Sequence, residues 1–349
     1  MGSKIYRQFI NSIRQLMKIK MHRFKNEQWG RAHLPFFEGF DKYLANFFEV
    51  ENIDYNKDGN TFDGEINLIN NSYASFGNCP PISDVDCVIE NTVTGETKLI
   101  SFGEYFNNYA VHIAKSESCT KVLLAHFNWN NVYHWMKRDN SIESLSKISP
   151  WIFLPFAEFD VSLYRKKRKN KKKLNDKLFW LGSGVDSYRK AVRIVEQKGC
   201  LQPIEPLSHD QYLDKLIESK IALSYYTDLD KYNTPFDHPG EFCYRDIEYT
   251  LLGVPYIRIE FKDNVYDEFK PNKHYISIPR EHAYTAYSKF GDVGVADLII
   301  ERYNQVKDDK EFLDYISQNQ IQWSNKNLLN NNQYKLTYNL LELKKWKTK

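Results

Sequence analysis

Residues 240–260 restrict the fold more than any other stretch of this 349-residue chain. A polar loop leads into Tyr244-Arg-Asp-Ile-Glu-Tyr-Thr-Leu-Leu252, whose apolar spacing predicts a short helix. Gly253 is a helix stop, and Pro255 enters Tyr256-Ile-Arg-Ile-Glu260, which reads as a strand. A helix closed by glycine and followed at once by a strand is one period of an alternating α/β sheet. The alternation recurs along the chain. Strands are expected at 17–24 (where helix also fits), 65–69, 121–126 and 151–156, with a hairpin of 86–90 and 98–102 around Gly95. Helices are expected at 36–48 and 104–114. Past residue 176 the pattern restarts, with strands at 177–181, 221–225, 256–261 and 274–278. Its helices are placed at 188–198, capped by Asp186 and Ser187, at 211–219, 295–306 and 310–323, and in the tail from Tyr334.

So long a chain exceeds one ordinary core, and two domains are expected. The fold class is α/β: two Rossmann-like domains with largely parallel sheets, facing a central cleft. They divide as an N-terminal domain over 1–164, a basic linker at 165–176, a C-terminal domain over 177–325, and a helical tail at 326–349 that crosses back to the first domain. A ligand is expected at the carboxyl ends of the strands.

The formal charge of +3 is close to balance and by itself implies no polyanionic partner. Five scattered cysteines without metal spacing read as reduced thiols of a cytoplasmic protein. No apolar run approaches a membrane span, and no secretory segment is apparent. Ile5, Phe9, Ile13, Leu16 and Met17 recur at helical spacing among Lys4, Arg7, Arg14 and Lys18. This N-terminal amphipathic helix fits packing onto the body of the protein, with a peripheral seat on the inner membrane face as the alternative. Tyr6 breaks the myristoylation pattern that Gly2 would open. The run 165–173 holds eight cations in nine residues, which reads as a solvated linker and also fits a polybasic patch.

Arg245 and Glu248 lie three apart and share one helix face. A guanidinium beside the first N–H groups of a helix suits a diphosphate, and a carboxylate one turn on suits a ribose diol; an ordinary intrahelical pair has the same spacing. Gly182-Ser183-Gly184 follows a strand but lacks the third glycine and the acidic ribose partner of a dinucleotide fingerprint, which disfavours hydride transfer. What it retains is a turn that admits a phosphate, with Arg189 in the first turns of the next helix. Tyr225, Tyr226, Phe242 and Tyr244 flank the Arg–Glu motif and fit either base or sugar stacking or core filling. Of two Asp-x-Asp pairs, Asp228/Asp230 follows a strand and fits a metal-dependent single-domain alternative, whereas Asp84/Asp86 precedes one. The cations already serve the phosphates, however, so no metal and no other cofactor is expected.

Glu248, with Gly253 five residues later and Val254-Pro255 after it, resembles the donor domain of GT-B fold glycosyltransferases, both group 1 and exostosin-like. Arg245 before that Glu is similar to the pattern of exostosin-like enzymes and of phage DNA glucosyltransferases, which also place a phosphate-binding Arg after a glycine turn, as Arg189 stands here. The resemblance covers about residues 177–325, and 312–323 looks like the closing helices of such folds. It implies that Glu248 holds the donor ribose and that Arg245 and Arg189 hold the diphosphate. The group 1 pattern places a second Glu where this chain has Gly240; Glu241, one residue on, is the substitute. An inverting reaction needs a base for the acceptor hydroxyl. His126, ending a strong strand, is the leading candidate, followed by Glu38 and Asp41 and then His33. The implied activity moves a sugar from a nucleotide-diphosphate donor to a hydroxyl of a glycan or lipid-linked glycan. The alternatives are a non-catalytic polyanion-binding protein working through 165–173, and a glycosyltransferase whose acceptor is nucleic acid.

Overall fold

The computed structural model describes residues 17–25, 30–56, 87–101, 114, 117–124, 137, 142–151, 160–182, 189–225, 244–260, 269–329 and 331–348. The chain is mixed α/β and divides into two compact units. One holds residues 1–125, 132–157 and 333–349, and the other 126–131 and 158–332. The expected N-terminal helix, the strand at 65–69, nearly all of the helix at 104–114 and both Asp pairs lie outside the described residues.

In the first unit, β1 (Lys18–Lys25) carries the alternation that its sequence predicts: Ile19 and Met21 are buried. Helix α1 (Gly30–Leu44) buries Phe36, Phe37, Phe40 and Leu44, a stripe at helical spacing. The strands β2 (Glu49–Asn56), β3 (Cys87–Asn91), β4 (Thr97–Ser101), β5 (Cys119–Leu124) and β6 (Ile148–Pro150) complete a sheet of order β2-β1-β3-β4-β5-β6. The β3–β4 hairpin turns at Gly95, where φ is +69°. Because the hairpin enters the sheet between β1 and β5, β3 runs against the other strands, which are mutually parallel. The sheet is therefore mixed at its centre. Its last strand, β6, lies just before the predicted 151–156; residues 152–156 are outside the described set. The helix Asn332–Leu340 belongs to this unit, where Tyr334 packs on Phe36 and Phe40, and Trp151 Nε1 donates to Thr337 Oγ1 at 2.9 Å.

The basic run lies in the second unit. Residues 165–169 have a regular backbone. They lie in helix α2 (Val161–Lys169), N-capped by Asp160. The reason is hydrogen bonding that charge density conceals. Arg165 Nε donates to Leu251 O at 2.7 Å, and Arg168 Nη1 donates to Ile217 O and Ser219 O at 3.0 and 2.8 Å. Leu251 O and Ile217 O lie in the last turns of the helices Tyr244–Leu252 and His209–Ile217, so two guanidiniums cap two helix C-termini.

Helices α3 (Lys190–Gln197) and α4 (His209–Ile217) follow, the latter opened by a Ser208/Gln211 capping box. Then come β7 (Ala222–Leu223), α5 (Tyr244–Leu252), β8 (Tyr256–Ile259) and β9 (Ile276–Ile278). Helices α6 (Arg280–Val306), bent at Gly291, and α7 (Lys310–Asn327) close the unit. Helix α3 starts later than its sequence suggests. Arg189 is the N-cap, with φ −139° and ψ 42°, and Asp186 and Ser187 lie outside the described residues.

The strands β7, β8 and β9 are parallel neighbours. Parallel bridges from Phe179 to Ala222 and from Leu178 to Leu201 add the segments 177–181 and 200–202 on the β7 side. In chain order the sheet therefore reads 2-1-3-4-5, a doubly wound arrangement whose order reverses between segment 177–181 and β7. Leu178, Val192, Val195, Ile257, Ile276 and Ile299 are part of its core.

Helix α5 is locked at both ends. The buried pair Arg258 Nη1–Asp246 Oδ2, at 2.6 Å, fixes its roll against β8. At its end Gly253 takes φ +68°, and its carbonyl accepts from Ser317 Oγ at 2.6 Å. A Cβ at this position would stand 2.7 Å from Ile321 Cδ1. Gly253→Ala is expected to lower stability by about 2 kcal/mol, from left-handed strain plus overpacking. Urea unfolding checks this, and an unchanged midpoint would remove the strain argument.

Candidate functional site

The carboxyl ends of the two segments flanking the reversal are Leu181 and Tyr225. One side chain ties them together. Arg245, in the first turn of α5, donates from Nε to Leu181 O at 2.7 Å and from Nη1 to Tyr225 O at 3.2 Å. Its Cζ lies 5.1 Å from the centroid of the Trp180 ring, and Arg189 Cζ lies 5.7 Å from the same ring. Trp180 is 1% exposed and its Nε1 donates to Tyr225 O at 3.3 Å, so the indole is a fixed platform carrying two guanidiniums. Gly182 makes this possible: a Cβ there would stand 2.5 Å from Arg245 Nη2 and 2.8 Å from the indole. The glycine turn and Arg245, remote in sequence, thus occupy one place. Arg189, buried at 8% exposure, adds the N-terminus of α3 to the same place.

Glu248 lies one turn along α5, as the spacing predicts, but it turns to a different partner. Its Oε2 accepts from Tyr212 Oη of α4 at 2.5 Å, and among the described residues its Oε1 accepts no hydrogen bond. Burial pushes the carboxyl up to about 7, against the opposing pull of the Tyr212 hydrogen bond and of Arg245. Burial, followed by the neighbouring Glu248 charge, raises the Tyr212 phenol well above its ordinary range.

Of the other predicted donor-side residues, Tyr225 is buried, with its carbonyl in the site. Tyr244 begins α5. Ser183, Gly184, Tyr226, Glu241 and Phe242 lie outside the described residues, as does His126. Glu38 and Asp41 both lie on α1 in the first unit; Glu38 is exposed, and Asp41 Oδ2 accepts from Asn52 Nδ2 at 2.6 Å. His33 is also on α1. Among the described residues no group of three His, Cys, Asp or Glu side chains converges, and no helix is long and apolar enough to cross a membrane. Trp180 and Tyr212 were not singled out from the sequence. Trp180 had a signal, an aromatic residue two before the glycine of a strand-end turn. Tyr212 had none.

No family model matches the sequence, and no curated protein sequence matches it. Among solved structures the chain is similar to a glycosyltransferase from Rickettsia africae ESF-5, at 10% identity over 96% of this chain and 99% of that one, with a TM-score of 0.47. It is also similar to TarM, at 10% identity over 89% of this chain and 99% of that one, with a TM-score of 0.29. Both are distant likenesses, and the functional reading rests on the geometry of the second unit.

Proposed function

We propose that the chain is a GT-B-type glycosyltransferase that takes a sugar from a nucleotide-diphosphate donor and passes it to a hydroxyl of a glycan or lipid-linked glycan. The observation that carries this reading is the Arg245 guanidinium, bonded to both strand ends at the sheet reversal and sharing the Trp180 indole with Arg189. Ligands of doubly wound sheets bind at such a reversal. Two held cations beside a helix N-terminus suit a diphosphate there.

In this reading the reaction breaks the bond between the anomeric carbon and the diphosphate, and charge grows on the departing phosphate oxygens. Arg245 and Arg189 offset that charge without reorganising, since the indole and two carbonyls already hold them. They supply the positive charge that a divalent cation supplies in metal-dependent transferases, so the proposed reaction is metal-independent. The ribose diol is assigned to Glu248, whose other oxygen Tyr212 holds. The base for the acceptor hydroxyl is proposed among His126, Glu38 and Asp41, with Glu241 on the donor sugar.

The test is release of nucleoside diphosphate from a panel of UDP-, GDP- and dTDP-sugars. One donor is expected to be consumed, with release lost in Arg189→Gln. Consumption of none, by a folded chain that also binds no nucleoside diphosphate, would contradict the reading.

A further inference from the structure

At the opposite edge of the second unit's sheet lies a pocket of about 950 Å³ that the proposed reaction does not use. Its wall includes Leu174 and Asp176, just before segment 177–181, Lys220 before β7 and Pro255 before β8. It therefore sits at the amino ends of the strands whose carboxyl ends hold Arg245. Its volume falls within the range of about 300–1,000 Å³ usual for small-ligand sites.

The charge of this pocket is one-sided. Helix α2 and the turn after it contribute Arg165, Arg168, Lys169, Lys172 and Lys173 to the lining. Lys220 and Lys310 raise the cations to seven, against Asp176, Asp308 and Asp314. Two of those carboxylates, Asp176 and Asp308, share the single cation Lys220, at 3.3 and 3.4 Å. Arg165 and Arg168 donate hydrogen bonds to neutral acceptors, namely Leu251 O, Asn325 Oδ1, Ser324 Oγ, Ile217 O and Ser219 O. Both guanidiniums are thus held in place with their charge uncompensated by those bonds. Lys169, Lys172 and Lys173 are exposed and form no ion pair among the described residues. Desolvation lowers Arg168 to about 10, with Asp314 acting against it, so the guanidinium stays charged at neutral pH in a partly dry wall. A concave, low-dielectric wall of one sign concentrates counter-ions of the other.

We infer that this pocket binds a small ligand carrying clustered phosphate groups. The inference is independent of the glycosyltransferase reading, since it uses no residue of that site. Apolar Leu252, Leu313 and Ile321 in the lining give such a ligand a surface to rest on. Free polyphosphates and the headgroups of anionic lipids share this chemistry.

The experiment titrates the full chain with inorganic tripolyphosphate, with vesicles of phosphatidylcholine and cardiolipin (two phosphates per headgroup), and with a single-stranded oligonucleotide. Tripolyphosphate should bind, more weakly as salt rises. The triple variant K169Q/K172Q/K173Q should lose roughly tenfold in affinity, and Asp314→Asn should gain about twofold, a direction that misfolding does not produce. Arg245→Ala, which disables the proposed donor site, should still bind tripolyphosphate and show the same dependence on the lysines and Asp314. Vesicle binding with the same variant pattern assigns the headgroup as the source, and tripolyphosphate binding alone assigns a soluble ligand; both uphold the pocket. It is overturned by absence of tripolyphosphate binding to Arg245→Ala, by affinity indifferent to both lysine and Asp314 variants, or by an oligonucleotide bound more tightly than tripolyphosphate.

Discussion

Arg245→Ala is expected to reduce glycosyl transfer by roughly 10²–10³-fold, the usual loss when one fixed donor to developing charge is removed. Under the proposed function the guanidinium has a second, structural task. Its Nε and Nη1 hold the carbonyls of Leu181 and Tyr225, so truncation leaves both acceptors without this donor and lowers stability by about 1–3 kcal/mol. Arg245→Lys keeps the charge but not the planar fork that bridges two carbonyls. It should therefore retain more activity than Ala while losing comparable stability. Steady-state kinetics beside urea unfolding separates the two effects. Equal turnover in wild type and Arg245→Ala would leave Arg245 as a structural tie and nothing more.

The second large effect is expected at Glu248. The folded carboxyl titrates near 7 against an ordinary value of 4.5, because it is buried. A raised carboxyl pKa means that the folded state keeps a proton which the unfolded chain has released. Stability is then greatest below about pH 4, declines as pH rises through the window between the two values, and stays lower above it, by about 3 kcal/mol. Glu248→Gln preserves an acceptor for Tyr212 Oη and removes the ionisation. It should be more stable than wild type at pH 8 by up to about 3 kcal/mol and nearly equal to it at pH 5. The same variant should bind the donor about tenfold more weakly, since a charge-assisted bond to the diol becomes a neutral one. Gained stability with lost affinity marks a residue kept for binding rather than for folding. Unfolding curves at both pH values and donor titrations at one decide it. Unaltered donor affinity would withdraw Glu248 from the ribose.

Legibility in the sequence followed the range of the interactions. Helix α5, its stop at Gly253 and the entry of β8 at Pro255 were readable because periodicity, a left-handed glycine and proline are local signals. The hairpin at Gly95 was readable for the same reason, but its insertion as the antiparallel strand of the first sheet was not, since strand order is a non-local choice. Arg245, Arg189 and Gly182 were each singled out. What joins them, the Trp180 indole and the carbonyls of Leu181 and Tyr225, depends on strand neighbours brought from 20 and 64 residues away. The Glu248–Tyr212 bond spans 36 residues and left no trace in either segment. The helix within the basic run was not legible, because a dense row of cations usually stays in water, as Lys166, Lys169, Lys171, Lys172 and Lys173 do. Here Arg165 and Arg168 end two helices whose carbonyls need donors, which makes the segment a helix of the second unit.

Calorimetric titration with nucleoside diphosphates measures the proposed grip on the diphosphate without requiring the acceptor. One nucleoside diphosphate is expected to bind at one site per chain, weakened at least a hundredfold in Arg245→Ala while the K169Q/K172Q/K173Q variant retains it. Binding that survives Arg245→Ala unchanged, or vanishes with the lysines instead, would contradict the proposed grip.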